Sequence, residues 1–377
     1  MIKSSTGEVC SPNDDIKALD LHGTNALRAR LLQIQADSGT GEEALLAEAE
    51  IAVRADQAAK QAEQAEIDKA QQALSDFRDY LEQSTGRAVH ALPSDAELAY
   101  TINPDTQQCE ITRLDGEDMV LDISDSGLAG ELPLPPQLMV TSLSCYNNQL
   151  TTLPEVVPTS LTSLDCIDNQ LTSLPEVLPA SLTGLWCSNN QLTALPELPT
   201  SLTSLDCDSN QLTTLPEVLP TSLTGLYCSA NQLSTLPELP PSLTRLDCHF
   251  NQLTVLPKVL PASMTGLGCS SNLLTTLPEL PASLGWLYCH NNQLSTLPEL
   301  PASLGWLYCH NNQLTSLPEL PASLTGLHCD DNQLTSLPEL PPSLTDLNCA
   351  GNPDLANNPA AQAALQELRD RGVVVQA

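Results

Sequence analysis

Residues 287–294 read L-Y-C-H-N-N-Q-L, and residues 307–314 repeat them letter for letter. Cys, His and Asn side by side raise two readings: a reactive site written twice, or a unit of architecture. The spacing of the cysteines decides between them. Eleven of the 13 fall at 145, 166, 187, 207, 228, 248, 269, 289, 309, 329 and 349, always 20 or 21 residues apart. Three residues beyond each stands an asparagine, from Asn148, Asn169 and Asn190 to Asn332 and Asn352. The shared unit is S-L-T-x-L-x-C-x-x-N-Q-L-T-x-L-P-E-L-P.

This unit fits the leucine-rich-repeat pattern L-x-x-L-x-L-x-x-N-x-L, with Cys in the third Leu position. The fold class predicted is a leucine-rich-repeat solenoid, with short parallel strands on the concave face and an extended, polyproline-like convex side. Each L-x-C supplies one strand, and L-P-E-L-P supplies the return. Twenty residues leave no room for a helix on the return, and proline fixes φ near the extended value. A single unit cannot bury its leucines, so stacked units share one core. The Asn amides are expected to satisfy backbone groups of adjacent turns. At roughly 4.8 Å per strand, eleven strands make a curved wall on the order of 50 Å long.

Five segments are expected along the chain. Residues 1–13 form a flexible N-terminus, 14–86 an α-helical hairpin or coiled-coil region, and 87–118 a connecting hairpin and N-terminal cap. Residues 119–355 form the solenoid and 356–377 a C-terminal capping helix and tail. Leu27, Leu31 and Ile34 stand at helical spacing, and Thr40 with Glu43 reads as a capping box for a second helix. Ile67, Ala70, Leu74, Phe77 and Leu81 follow a 3-4-3-4 rhythm. That rhythm suits packing onto the solenoid or self-association through residues 42–83. Asn103-Pro104-Asp105 marks a hairpin turn. Residues 119–133 are a degenerate repeat with Ile123 where Cys would stand. Asn358-Pro359 reads as N-cap and N1 of the last helix, with Gly372 just past its end. Cys10 and Cys109 lie outside the ladder and have no assigned role.

Composition narrows the partners. The 377 residues carry a net charge of -32. Such a surface repels phosphate backbones and anionic lipid, which argues against nucleic acid and membrane insertion and for a protein partner with a basic surface. No apolar run is long enough for a bilayer, and the polar start M-I-K-S-S-T lacks the apolar core of a signal peptide. The ladder cysteines read as buried, unpaired fillers of a reducing compartment.

Period two in the strands sorts the remaining columns. The residues three before, one before and one after each Cys face the concave side. They include Trp186, Tyr227, Arg245, Asp247, His249, Trp286, Tyr288, His290, Trp306, Tyr308, His310, His328 and Asp330. All three Trp of the chain lie there, although aromatics are only 3% of residues. Exposed Trp and Tyr in so polar a protein point to recognition of a partner. His290, His310 and Asp330 share one column, with His328 adjacent, and their types suit Zn²⁺. Duplication accounts for the two His, and no outer support can be read. The expectation is therefore no metal and no cofactor. No nucleophile stands beside a base in a closed pocket, and no phosphate-binding loop or paired CxxC is present. The expected class is non-catalytic.

The L-P-E-L-P-x-S-L-x-x-L-x-C-x-x-N-Q-L unit resembles the LPX-type leucine-rich repeats of bacterial effectors. That family includes Yersinia outer protein M and the invasion-plasmid-antigen-H ubiquitin ligases, and the resemblance covers about residues 119–355. It implies a right-handed solenoid that binds host proteins after type III secretion into the host cytoplasm. The ligase members add a C-terminal catalytic domain with an essential Cys, which no repeat cysteine matches. The resemblance thus implies a non-enzymatic scaffold. Two alternatives stand beside it: the recognition part of a ligase whose catalytic domain is absent, and a bacterial scaffold without a host role.

Overall fold

The computed structural model describes residues 42–83 and 92–376. The expected flexible segment 1–13, the helix expected within 14–36, and Cys10 lie outside the described residues. The chain divides into two compact units. One contains residues up to Gln72 with Tyr100–Cys109, and the other Ala73–Ala99 with Glu110–Ala377.

Helix α1 spans Glu42–Glu82 and contains neither Gly nor Pro, so strong helix formers run uninterrupted. Ala70, Leu74, Phe77 and Leu81 are buried. Four of the five positions of the 3-4-3-4 rhythm are therefore spent on packing. Strands β1 (Leu98–Ile102) and β2 (Cys109–Arg113) form a two-stranded sheet. At the turn between them Asn103 Oδ1 accepts from the amides of Asp105 and Thr106 at 2.9 and 3.2 Å. In the second unit Arg78 Nη2 donates to the Pro93 carbonyl at 2.8 Å, and Tyr80 Oη to that of Ala129 at 3.4 Å.

The array begins with β3 (Met119–Asp122), β4 (Ala129–Glu131), β5 (Val140–Ser144) and β6 (Gln149–Thr152). Ten three-residue strands follow. They are β7 (Ser163–Asp165), β8 (Gly184–Trp186), β9 (Ser204–Asp206), β10 (Gly225–Tyr227) and β11 (Arg245–Asp247), then β12 (Gly266–Gly268), β13 (Trp286–Tyr288), β14 (Trp306–Tyr308), β15 (Gly326–His328) and β16 (Asp346–Asn348). Helices α2 (Pro353–Ala356) and α3 (Pro359–Asp370) and strand β17 (Val374–Gln376) close it. Thirteen parallel strands form one sheet, in the order β3, β5, then β7 to β17. From β3 to β16 in this sheet each central Leu pairs with the Leu of the next turn, as Leu287 does with Leu307, and Leu347 of β16 pairs with Val375.

The inward residues form the core. The central Leu and the Cys of every turn from 143 to 349 are at most 2% exposed. The Asn ladder does what its position requires. Asn292 Nδ2 donates to the carbonyls of Cys269, Cys289 and His290 at 3.0, 3.1 and 3.2 Å. Its Oδ1 accepts from the Leu274 amide at 2.9 Å. Asparagine alone offers two donors and an acceptor on so short a stem. The residue before each ladder Asn adopts left-handed backbone, with φ of 52° at Asn147, 54° at Asn291 and 50° at Phe250. Asn and Asp tolerate that region, while Ala230 and Phe250 hold it at a cost.

Both ends are closed. Ile123, at 0% exposure, fills the Cys position of the degenerate first repeat. Asn358 caps α3, its side chain accepting from the amides of Ala360 and Ala361. Gly372 takes φ of +81° just beyond the helix. The tail, expected only to follow a helix, adds a further strand. β17 pairs with β16, and the Cys349 amide donates to Gln376 at 2.8 Å.

Candidate protein-binding face

Alternation along each strand divides the unit chemically. In Trp286-Leu287-Tyr288-Cys289-His290 the Leu and Cys are buried, while Trp, Tyr and His are half-buried on the other face. Burial pushes the ladder thiols up, Cys289 to about 12 and Cys349 to about 11. A thiol that stays protonated is neither nucleophile nor ligand. The Cys-His-Asn triplet is therefore no reactive constellation: Cys and Asn serve the core, and only His meets solvent.

The register of the sheet stacks the outward rings. Trp286 pairs with Trp306 and Tyr288 with Tyr308, and Tyr308 in turn with His328. Tyr288 and Tyr308 stack at 4.8 Å between centroids and 21° between planes. Tyr308 and His328 stack at 4.3 Å and 13°, as do His290 and His310. Trp286 packs on Tyr288 at 4.9 Å, and Trp306 meets Tyr308 edge-on at 6.2 Å. Seven of the residues selected by column thus form one continuous aromatic patch across β13, β14 and β15.

Glycines make the floor for this patch, and column reading did not single them out. A Cβ on Gly266 would lie 2.1 Å from the Trp286 ring, and one on Gly326 2.2 Å from the Trp306 ring. The two indoles lie over opposite neighbouring strands. Gly184 does the same for Trp186, where an added Cβ would meet the ring at 2.2 Å. The signal was available: the column three before Cys runs Gly266, Trp286, Trp306, Gly326.

Trp186 and Tyr227 stand apart from the patch. Trp186 lies five strands from Trp286, roughly 24 Å along the sheet. Tyr227 sits over Gly225, whose added Cβ would be 3.2 Å from the ring. Asp247 and His249 form a polar pair beside β11, the strand on which Arg245 also lies, and the His249 ring is 6.5 Å from that of His290. His249 Nε2 is 3.3 Å from Asp247 Oδ1, and its Nδ1 faces Ser270 Oγ at 2.5 Å. A Cβ on Gly268 would meet both side chains. Towards the N-terminal end the wall is acidic. Burial raises the carboxyls of Asp165 and Asp206, and Asp208 reaches about 6. At the aromatic end burial, followed by the neighbouring imidazoles, lowers His290 to about 4.

The expectation from the sequence is no metal, with His290, His310 and Asp330 as the candidate column and His328 adjacent. Among the described residues, those whose ligand atoms all lie within 4.8 Å of one another are His310, His328 and Asp330. His290 drops out because its ring stacks face to face on His310. Stacked imidazoles carry their lone pairs in parallel planes, which do not converge on one ion.

No protein-family model matches the chain, and no curated protein matches it. Solved structures do. YopM from Yersinia enterocolitica WA-314 is 40% identical over 61% of this chain and 55% of that one, with a TM-score of 0.58. InlJ from Listeria monocytogenes, whose functional domain includes a cysteine ladder, is 30% identical over 62% and 54%, with a TM-score of 0.55. YopM from Yersinia pestis is 34% identical over 62% of this chain and 83% of that one, with a TM-score of 0.49. The chain thus spans 55% of the length of the Y. enterocolitica protein. No described helix is long and apolar enough to cross a membrane.

Proposed function

We propose that this chain, which belongs to the bacterial LPX-type leucine-rich-repeat effector family, is a non-catalytic scaffold that binds a protein through the aromatic patch of its concave face. One observation carries the reading. Trp286, Tyr288, Trp306, Tyr308 and His328 form a contiguous stacked surface, with Trp306 39% exposed. Rings of this kind dominate binding energy where they are desolvated by a partner. The partner presents a basic rim around an apolar centre. Cationic side chains meet the -32 surface, while apolar or guanidinium groups lie on the rings.

The host role follows from the likeness to YopM and is part of the proposal: the chain is delivered into a host cell and engages a host protein there. Residues 42–83 further offer a self-association helix. Affinity capture with the parent and with Trp286→Ala/Trp306→Ala tests the binding face; partners retained by both would place binding elsewhere. A reporter fused to residues 1–50 and retained in the bacterium would remove the host role and leave the scaffold reading intact. Sedimentation of the chain with and without residues 42–83 tests self-association, and an unchanged mass would end that idea.

A further inference from the structure

We propose that His310, His328 and Asp330 bind a first-row divalent metal ion, Zn²⁺, at the C-terminal end of the aromatic patch, with Asp346 orienting His328. The three side chains place one ligand atom each within 4.8 Å of the other two. Bonds of about 2.0–2.1 Å to zinc put ligand atoms of one ion roughly 3.4 Å apart in a tetrahedral site. Side-chain rotation closes that difference, with the sheet left in place.

Two of the three arrive with an unused atom. Nδ1 of His310 and Oδ1 of Asp330 are sealed from solvent and have no hydrogen-bond partner. Buried polar atoms are nearly always paired. These two do not bond each other, and both carry lone pairs when the imidazole is the neutral Nε2–H tautomer. A cation satisfies both at once.

His328 supplies what the sequence could not show. Its Nε2 lies 3.0 Å from Asp346 Oδ2. That contact occupies one ring nitrogen and fixes the ring, leaving the other nitrogen to ligate. A carboxylate on the far nitrogen is the usual support of a metal-bound imidazole. Duplication of the repeat explains His290 and His310 but not this cluster. The turn after the copied pair changes Tyr to His at 328 and His to Asp at 330. Both changes bring ligand types beside His310. Three protein ligands leave a fourth position on the concave face for water or for a side chain of a bound protein.

Calorimetric titration of Zn²⁺ into the full chain, stripped with chelator, tests the site. The parent takes up one ion. His310→Gln and Asp330→Asn each weaken that binding at least tenfold, and Asp346→Asn weakens it about 10- to 100-fold through His328. Glu299→Gln, exposed on the return segment and outside the cluster, leaves it unchanged. Circular dichroism of each variant verifies the fold, and the near-isosteric Asp330→Asn keeps the test alive if a His variant misfolds. Cobalt substitution supplies an independent readout: visible bands of a four- or five-coordinate ion, without a thiolate charge-transfer band. No single-site uptake by the parent, equal affinity across parent and cluster variants, or a thiolate band would each overturn the proposal.

Discussion

Cys289 and His290 are neighbours in the chain and belong to different molecules in effect. The inward columns of the sheet repeat almost without change from Cys145 to Cys349. The outward columns change at nearly every turn, from carboxylates at Asp165, Asp206, Asp208 and Asp247 to rings at Trp286, Tyr288, Trp306 and Tyr308. The difference is physical. An inward side chain must fill the same space as its copies above and below, because the core is close-packed along the whole stack. An outward side chain touches only its flanking turns and solvent. Monotony inside sets the fold, and variety outside is free to serve recognition.

This comparison breaks if inward and outward substitutions in one turn cost the same. Asn292→Ala carries the largest expected effect. It strands the buried Leu274 amide and removes one of two donors from each of three carbonyls, which keep Asn272, Asn312 and the Ser271 amide, and losing buried pairing of this kind destabilises by about 2–3 kcal/mol. His290→Gln in the same turn shifts stability by less than about 1 kcal/mol, since its Nδ1 already lacks a partner. Urea unfolding of the two variants measures the contrast.

Phe250→Asn sharpens it from the other side. Phe250 is 63% exposed and holds φ of 50°. Asn is at ease in that region, so the variant gains about 1 kcal/mol and melts higher. A lower melting temperature would show that the exposed ring has a packing role.

The smallest effect concerns pH at the acidic end. Burial raises Asp208 to about 6, above its value of about 3.9 in an unfolded chain. The folded state therefore holds more protons between those limits, and the contribution of Asp208 is fully present below about pH 4 and lost as pH rises through 6. Asp208→Asn removes that loss while its Oδ1 still accepts from the Ser229 amide. Parent and variant should melt alike near pH 4. Above pH 6 the variant should be the more stable, by about 1 kcal/mol or less after solvent screening. Thermal melts from pH 4 to 7 check the sign.

The repeat was legible because its signal is redundant. Leu, Cys and Asn recur at fixed spacing, each for a separate physical reason, and the ends announce themselves through Ile123, Asn358 and Gly372. Two features were hidden. β17 lacks the L-x-C signature, and only its Val373-Val374-Val375 run hints at a strand. The left-handed backbone before each ladder Asn was masked by residues as unlike as Asn291, Ala230 and Phe250. The candidate face was legible column by column, since alternation says which way a side chain points. It does not say which way a ring leans. The Gly266 and Gly326 floors, the His290–His310 stack and the His328–Asp346 contact are set by side-chain torsions across turns, which period two does not encode.

The central claim is that the aromatic patch recognises a partner while contributing little to the fold. Its most direct test is one pair of measurements on Trp286→Ala/Trp306→Ala: a thermal melt, and the dissociation constant for a partner captured by the parent. The expected result is a melting temperature within a few degrees of the parent and an affinity at least about a hundredfold weaker, as for the loss of two aromatic hot spots. An unchanged affinity, or a loss of binding matched by a collapse of the melt, would contradict it.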